Sequence, residues 1–187
     1  MKLIKRITCP FCQNNHFKSL YKLDYNSKIM TDFLINYYKN RDICEILKTE
    51  EYEISECLNC NGSFQRNIPN EKLSLYLYEV LISNKESFQK KKRLSVKKFK
   101  EYFNDAEIIE KIINKKSHEI KILEFGCGWG FWANFMKSMN FNIETLEISS
   151  PRKKHLNKIN IKNYDSINEI DTKYDLIFSN QAIEHIP

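Results

Sequence analysis

Leu123–Gly130 reads LEFGCGWG. The chain holds four glycines, and three of them, Gly126, Gly128 and Gly130, fall inside five residues here. Glycine tolerates positive φ and lets another group approach the backbone closely. The run before the glycines, IKILEF (120–125), is short and apolar like a buried strand, and GFWANFMKSMN (130–140) has helical spacing. A glycine turn between a strand and a helix lies outside the carboxyl end of the strand, where open α/β sheets bind ligands.

The pattern continues outward. FNIETLEIS (141–149) alternates like a strand, and SPRKKHLNKI (150–159) reads as a helix with Ser150 as cap and Pro151 at the first helical position. INIKNYD (159–165) is a weak strand, KYDLIFSN (173–180) another, and QAIEHIP (181–187) begins a helix or turn. Alternating strands and helices predict an α/β fold with a doubly wound parallel sheet. Glu147 ends the second strand, 21 residues beyond Gly126, where an acid accepts hydrogen bonds from ribose hydroxyls. The glycine spacing is G-x-G-x-G, and Phe131 stands where a dinucleotide site has its third glycine. Glu124, two residues before the first glycine, is a poor neighbour for a pyrophosphate and a good one for a ligand carrying ammonium and sulfonium groups.

Glu124-Phe-Gly126-Cys-Gly128-Trp-Gly130 resembles the E/D-x-G-x-G-x-G motif of class I S-adenosylmethionine-dependent methyltransferases. The resemblance covers about 120–187. It implies a Rossmann-like sheet and a cofactor site made of Glu124, Gly126, Cys127, Gly128 and Gly130. Glu147 matches the ribose-binding acid and Asp165 the position beside the adenine. DLIFSNQAIEHIP (175–187) matches the fourth strand and following turn, with Asn180 at the strand end as a cofactor-binding candidate and His185 as a candidate general base. Cys127 reads as a small filler rather than a nucleophile, and Trp129 and Trp132 as packing. The family's sheet has seven strands. The chain ends after the fourth, so we expect a fragment, an incomplete gene or a chain completed by a partner.

The N-terminal stretch carries different chemistry. Cys9-Pro-Phe-Cys12 and Cys57-Leu-Asn-Cys60 are two C-x-x-C knuckles, 44 residues apart, and together they offer four thiolates to one tetrahedral Zn²⁺. Four thiolates leave no open position, so the metal would be structural. TDFLINYYKNRDICEIL (31–47) within the insert is helix-like, and Asn61-Gly62 supplies a turn. Cys44 reads as core, and His16 is superfluous as a ligand. We expect a zinc-ribbon-like module over 1–68, a helical connecting segment over 69–119, and the N-terminal half of a methyltransferase domain over 120–187. LSLYLYEVLIS (73–83) reads as a buried helix, and DAEIIEKIINKK (105–116) as a helix capped by Asp105.

The 187 residues are 42% hydrophobic and 29% charged, enough for a core, with no run of the ~18 apolar residues that spans a bilayer and, in MKLIKRITCPFC (1–12), no apolar stretch of signal-peptide length. We therefore expect a cytoplasmic protein with reduced thiols. The net charge of +6 resides in NKESFQKKKRLSVKKFKE (84–101), with eight basic and two acidic residues, so the chain is not a uniformly basic nucleic-acid binder. The run reads as a solvated helix face, with phosphate contact as the alternative. ISECLNCNGSFQRNIP (54–69) resembles the corresponding stretch of sugar and small-molecule methyltransferases. A small-molecule acceptor, such as a sugar or sugar nucleotide, is therefore the leading expectation. An RNA methyltransferase and a non-catalytic zinc-dependent binding module remain alternatives, and a nicotinamide oxidoreductase is opposed by the glycine spacing.

Overall fold

A computed structural model describes residues 1–93 and 95–183. Two compact units divide at Ser83–Asn84. Residues 69–83 thus belong to the first unit and 84–119 to the second.

The first unit opens with β1 (Leu3–Lys5) and β2 (Phe17–Asp24), followed by α1 (Lys28–Tyr38) and α2 (Asp42–Leu47). Then come β3 (Glu51–Cys57), β4 (Ser63–Gln65), β5 (Asn67–Pro69) and a short α3 (Glu71–Leu75). Strands β2, β3 and β4 form an antiparallel sheet in that order, and β1 pairs with β5. The register Phe17↔Cys57 to Asp24↔Glu51 carries a bulge between Ser19 and Tyr21. The helix-like insert is two helices, because α1 ends on Lys39 in the left-handed region at φ 55°. Ser27 starts α1, its hydroxyl accepting from the Met30 N–H. Leu3, Tyr25, Leu34, Ile43, Leu47 and Leu73 make the core, with Cys44 packed against it. The 73–83 run is less buried than its apolarity predicts. After α3 it widens into a π-type turn, Tyr76–Leu81, that leaves Leu75 and Val80 exposed.

The second unit begins with α4 (Asn84–Lys92) and α5 (Val96–Ile113). Ser95 caps α5, accepting from Lys98 N–H, so the helix starts nine residues before Asp105. Asp105 instead faces inward and accepts from the Trp132 indole at 3.0 Å. Then follow β6 (Lys121–Phe125), α6 (Phe131–Ser138), β7 (Asn142–Leu146), α7 (Ser150–Lys158), β8 (Asn163–Tyr164) and β9 (Leu176–Ser179). The cap of α7 is Ser149 rather than Ser150, and Pro151, which has no N–H to leave unpaired, fits in its first turn.

All four strands are parallel, in the order β8-β7-β6-β9, a Rossmann-like sheet. One face carries Ile120, Ile122, Trp132, Met136 and Phe141 against Ala106 and Ile109 of α5, with Trp132 stacked on Phe178 at 3.9 Å. On the other, Leu123, Leu146 and Tyr164 pack with Tyr174. Glu144 accepts there from the Tyr164 and Tyr174 hydroxyls and pairs with Lys162. No helix among the described residues is long and apolar enough to cross a membrane.

Candidate cofactor and metal sites

The glycine loop leaves the carboxyl end of β6, the central position between β7 and β9. Gly126 N–H donates to Leu146 O at 2.8 Å, and Gly130 N–H turns back to Cys127 O at 3.0 Å. All three glycines sit at positive φ, between 61° and 70°. Their reasons differ. A Cβ on Gly126 would meet Ala182 Cβ at 2.3 Å, and one on Gly130 would meet Leu156 Cδ2 at 2.4 Å. A Cβ on Gly128 would meet no atom within 4 Å. Two glycines therefore serve packing, and the middle one bares its backbone to open space.

That difference is testable by urea denaturation of single alanine variants. Gly130→Ala is expected to cost about 2–5 kcal/mol, because left-handed strain adds to overpacking against the fully buried Leu156. Gly128→Ala is expected to cost only the backbone strain, about 1–2 kcal/mol. Equal losses would contradict the assignment.

Glu147 directly follows β7 and is 5% exposed. Its Oε2 accepts the Gly128 N–H at 2.8 Å and its Oε1 the Ser149 N–H at 2.9 Å. Arg152 Nη1 lies 3.6 Å from Oε2. The acid thus braces the bare loop. Glu124 lies on β6 beneath α6 and is 6% exposed. The Ala133 N–H reaches its carboxyl, while Oε2 has no partner. Burial, with Glu147 nearby, pushes its pKa up to about 8, despite the Ala133 bond. Burial and the two carboxyls push the Cys127 thiol far up, which suits a filler and not a nucleophile.

Asp165 follows β8, is well exposed, and pairs with Lys153 at 3.0 Å. It borders a cavity of about 280 Å³ with Ser150, Lys153, Lys154, Asn157 and Asn163. Asn180 follows β9 and is exposed. The structure bonds Glu147 to the glycine loop and sets Glu124 within electrostatic reach of Glu147 and Cys127, whereas the ion pair of Asp165 is with Lys153. His185 lies outside the described residues.

Several neighbours of the loop were not evident in the sequence. Ile148, next to Glu147, is 69% exposed. Helix α4 rests on the loop: Ser87 Oγ accepts from the Trp129 indole at 3.1 Å, and Phe88 meets Trp129, Phe131 and His155 with ring centroids 4.9–5.6 Å apart. Trp129 and Trp132 are both buried packing residues.

The sulfurs of Cys9, Cys12, Cys57 and Cys60 lie within 4.8 Å of one another, in the first unit. Cys9–Cys60 and Cys12–Cys57 are separated by 3.7 and 3.6 Å. Two thiolates on one tetrahedral zinc are about 3.8 Å apart at the usual Zn–S length, whereas a disulfide needs about 2.05 Å.

The two knuckles repeat one geometry. Gln13 and Asn61, each just after the second cysteine, take φ of 60° and 57°. Each donates its N–H back to the first cysteine's carbonyl. Phe11 N–H and Asn59 N–H point at Cys9 Sγ and Cys57 Sγ, both at 3.4 Å. Asn14 N–H and the Asn59 amide hold the Cys12 thiol down to about 6. N–H donors aimed at sulfur favour thiolate, the metal-binding form. The four cysteines could hold zinc. His16 is not among them.

Residues 96–187 match the family model of a methyltransferase domain. No curated protein matches the chain.

Proposed function

We propose that the methyltransferase domain of residues 96–187 binds S-adenosylmethionine on the glycine loop and methylates a small-molecule acceptor of the sugar or sugar-nucleotide class. The observation that carries the reading is the bare backbone of Gly128 braced by Glu147. The residues fit the cofactor. Glu124 keeps a buried oxygen without a partner, suited to a cationic ligand once ionised. Glu147 has lone pairs left for ribose hydroxyls after its two backbone bonds. Ile148 offers apolar surface, and Asp165 and Asn180 polar groups, at the carboxyl end of the sheet.

When bound, S-adenosylmethionine supplies an electrophilic sulfonium methyl. The chain's part is to orient the two reactants and exclude water. His185 is proposed as general base for an acceptor hydroxyl or amine, as its ordinary pKa of ~6.5 suits. Zinc on the four cysteines is proposed as structural, and the cytoplasm as the compartment, in keeping with six free thiols.

The test is calorimetric titration of S-adenosylmethionine into the zinc-loaded chain and into Glu147→Ala. Saturable binding weakened roughly a hundredfold is expected, from two lost charge-assisted hydrogen bonds. A folded chain without saturable binding would refute the reading. RNA as the acceptor is the second reading, since Lys90, Lys92 and Arg93 stand exposed with no ion pair among the described residues.

A further inference from the structure

We propose that Ser87 and Phe88 of α4 are positioning residues for the cofactor: by clamping Trp129 they hold the neighbouring Gly128 backbone in its ligand-accepting orientation. The proposal rests on the cofactor reading, which supplies the ligand.

The glycine loop is anchored unevenly. Gly126 is tied to Leu146 O at 2.8 Å and lies against Ala182, and Gly130 lies against Leu156. Gly128 has no such packing. Glycine takes positive and negative φ about equally well, so the orientation of Gly128 depends on what holds its flanks. Glu147 holds one, accepting the Gly128 N–H at 2.8 Å. The other is Trp129, the largest side chain the loop carries.

Trp129 is buried, yet it stands outside the hydrophobic clusters that fill the faces of the sheet. Its contacts come from α4 and α7. Phe88 meets the indole edge-on, with centroids 5.0 Å apart and planes at 72°. His155 of α7 meets it at 5.9 Å. Ser87 Oγ accepts the indole N–H at 3.1 Å. Phe88 also touches Phe131, the first residue of α6, at 5.6 Å. One α4 ring therefore grips the end of the loop and the start of the helix that follows it.

The grip is local. Phe88 is the one apolar side chain of α4, and none of the nine residues of that helix is fully buried. A helix this short is marginal in water by itself, so α4 depends on tertiary contacts to stay on the loop. It can lift without opening the core of the sheet. The clamp also leaves the ligand's place free, since a Cβ on Gly128 would meet no atom within 4 Å. The effect of Ser87 and Phe88 thus passes through Trp129. If only the docked form presents the loop correctly, apparent affinity scales with the docked fraction. By linkage, bound cofactor holds α4 down.

The test is calorimetric titration of S-adenosylmethionine into the zinc-loaded native chain and into Phe88→Ala, Ser87→Ala, Ser87→Thr and Lys85→Gln. Tryptophan emission and the urea midpoint are recorded for each. The other tryptophan, Trp132, is stacked on Phe178 and bonded to Asp105, so a change at α4 is read from Trp129. Phe88→Ala should shift emission to the red and weaken binding about tenfold, through a docked fraction cut to roughly a tenth. Ser87→Ala should weaken binding about five- to tenfold, the loss of one hydrogen bond. Ser87→Thr keeps the hydroxyl and should retain native affinity. Lys85→Gln, exposed on the same helix, should leave binding unchanged. The urea midpoint should stay at the native value throughout. Amides of 84–92 should gain hydrogen-exchange protection from the cofactor in the native chain and not in Phe88→Ala. Native affinity in Phe88→Ala overturns the proposal, whether or not the emission shifts. So does a loss of affinity matched by a fall in the urea midpoint, which would make the contact structural only. A native chain that does not bind S-adenosylmethionine sinks the cofactor reading and the proposal with it, whereas a binding native chain with indifferent variants sinks the proposal alone.

Discussion

One zinc ion per chain is expected on metal analysis, and its removal is expected to unfold β2–β4. Cys57 ends β3, is fully buried, and shares its cluster with only two other buried residues, Cys9 and Phe64. That cluster is too small to hold the knuckles by burial alone: two cysteines and one phenylalanine contribute roughly 5–10 kcal/mol at ~25 cal/mol per Å², before the entropy of ordering the knuckle loops is subtracted. A structural zinc contributes an apparent ~10–16 kcal/mol near neutral pH, which matches or exceeds the ~5–15 kcal/mol net stability of a typical domain. Without it, four sulfurs at 3.6–4.8 Å would face one another with only a few N–H donors aimed at them, an arrangement that favours thiolates and therefore repels itself. Cys57→Ser, or a strong chelator, should therefore abolish metal content and the amide protection of Glu51–Gln65 in hydrogen exchange. Cys44→Ser should retain both, because Cys44 packs in a different cluster. Persistent protection of β3 in a metal-free chain would show that the knuckles are held by something else.

The site was legible wherever chemistry demands a residue type at a fixed spacing. Two C-x-x-C pairs point to one four-sulfur site, and the structure brings all four sulfurs together. The glycines announced the loop, since left-handed backbone and close approach both exclude a Cβ. The sequence could not divide the labour among them. That division depends on Leu156 and Ala182, which the chain delivers from 26 and 56 residues away.

Helix boundaries were harder. Asp105 looked like a cap because the apolar rhythm starts there. The helix in fact runs back through Lys97, Lys98 and Lys100 to Ser95, a stretch whose charges hide its periodicity. The basic run concealed more. Its eight cations gave no hint that the helix carrying half of them packs on the glycine loop. That contact is made by Ser87 and Phe88, which meet a tryptophan 41 residues on from Phe88. The strands of the first unit were also obscure. Five of the eight β2 residues in a row are exposed, so no alternating pattern marks it.

Glu124 should make the second unit less stable as pH rises from 5 to 8, and Glu124→Gln should remove that trend. The carboxyl sits on the central strand between Thr145 and Phe178, with its Oε2 unpartnered. Ionising it there requires taking a charge out of water. The titratable groups that act on it or feel it are Glu147 of the β7 end, Cys127 of the loop and Tyr102 of α5, and none is a cation. Its pKa accordingly rises from 4.5 to about 8. The sign follows from proton counting. Between those values the folded chain holds a proton that the unfolded chain has released, so folding is favoured at low pH and weakens as pH climbs. Below the lower value both states are protonated, and above the upper both are ionised, so this contribution is flat outside the window. Inside it the slope is about 1.4 kcal/mol per pH unit, and several kcal/mol accumulate across the window. Glutamine keeps the shape and carries no charge at any pH. Urea denaturation at pH 5, 6, 7 and 8 should show a falling midpoint for the native chain relative to Glu124→Gln, with the variant more stable at pH 8. Parallel curves for the two proteins would mean that Glu124 is ionised in the fold and has a cation within reach.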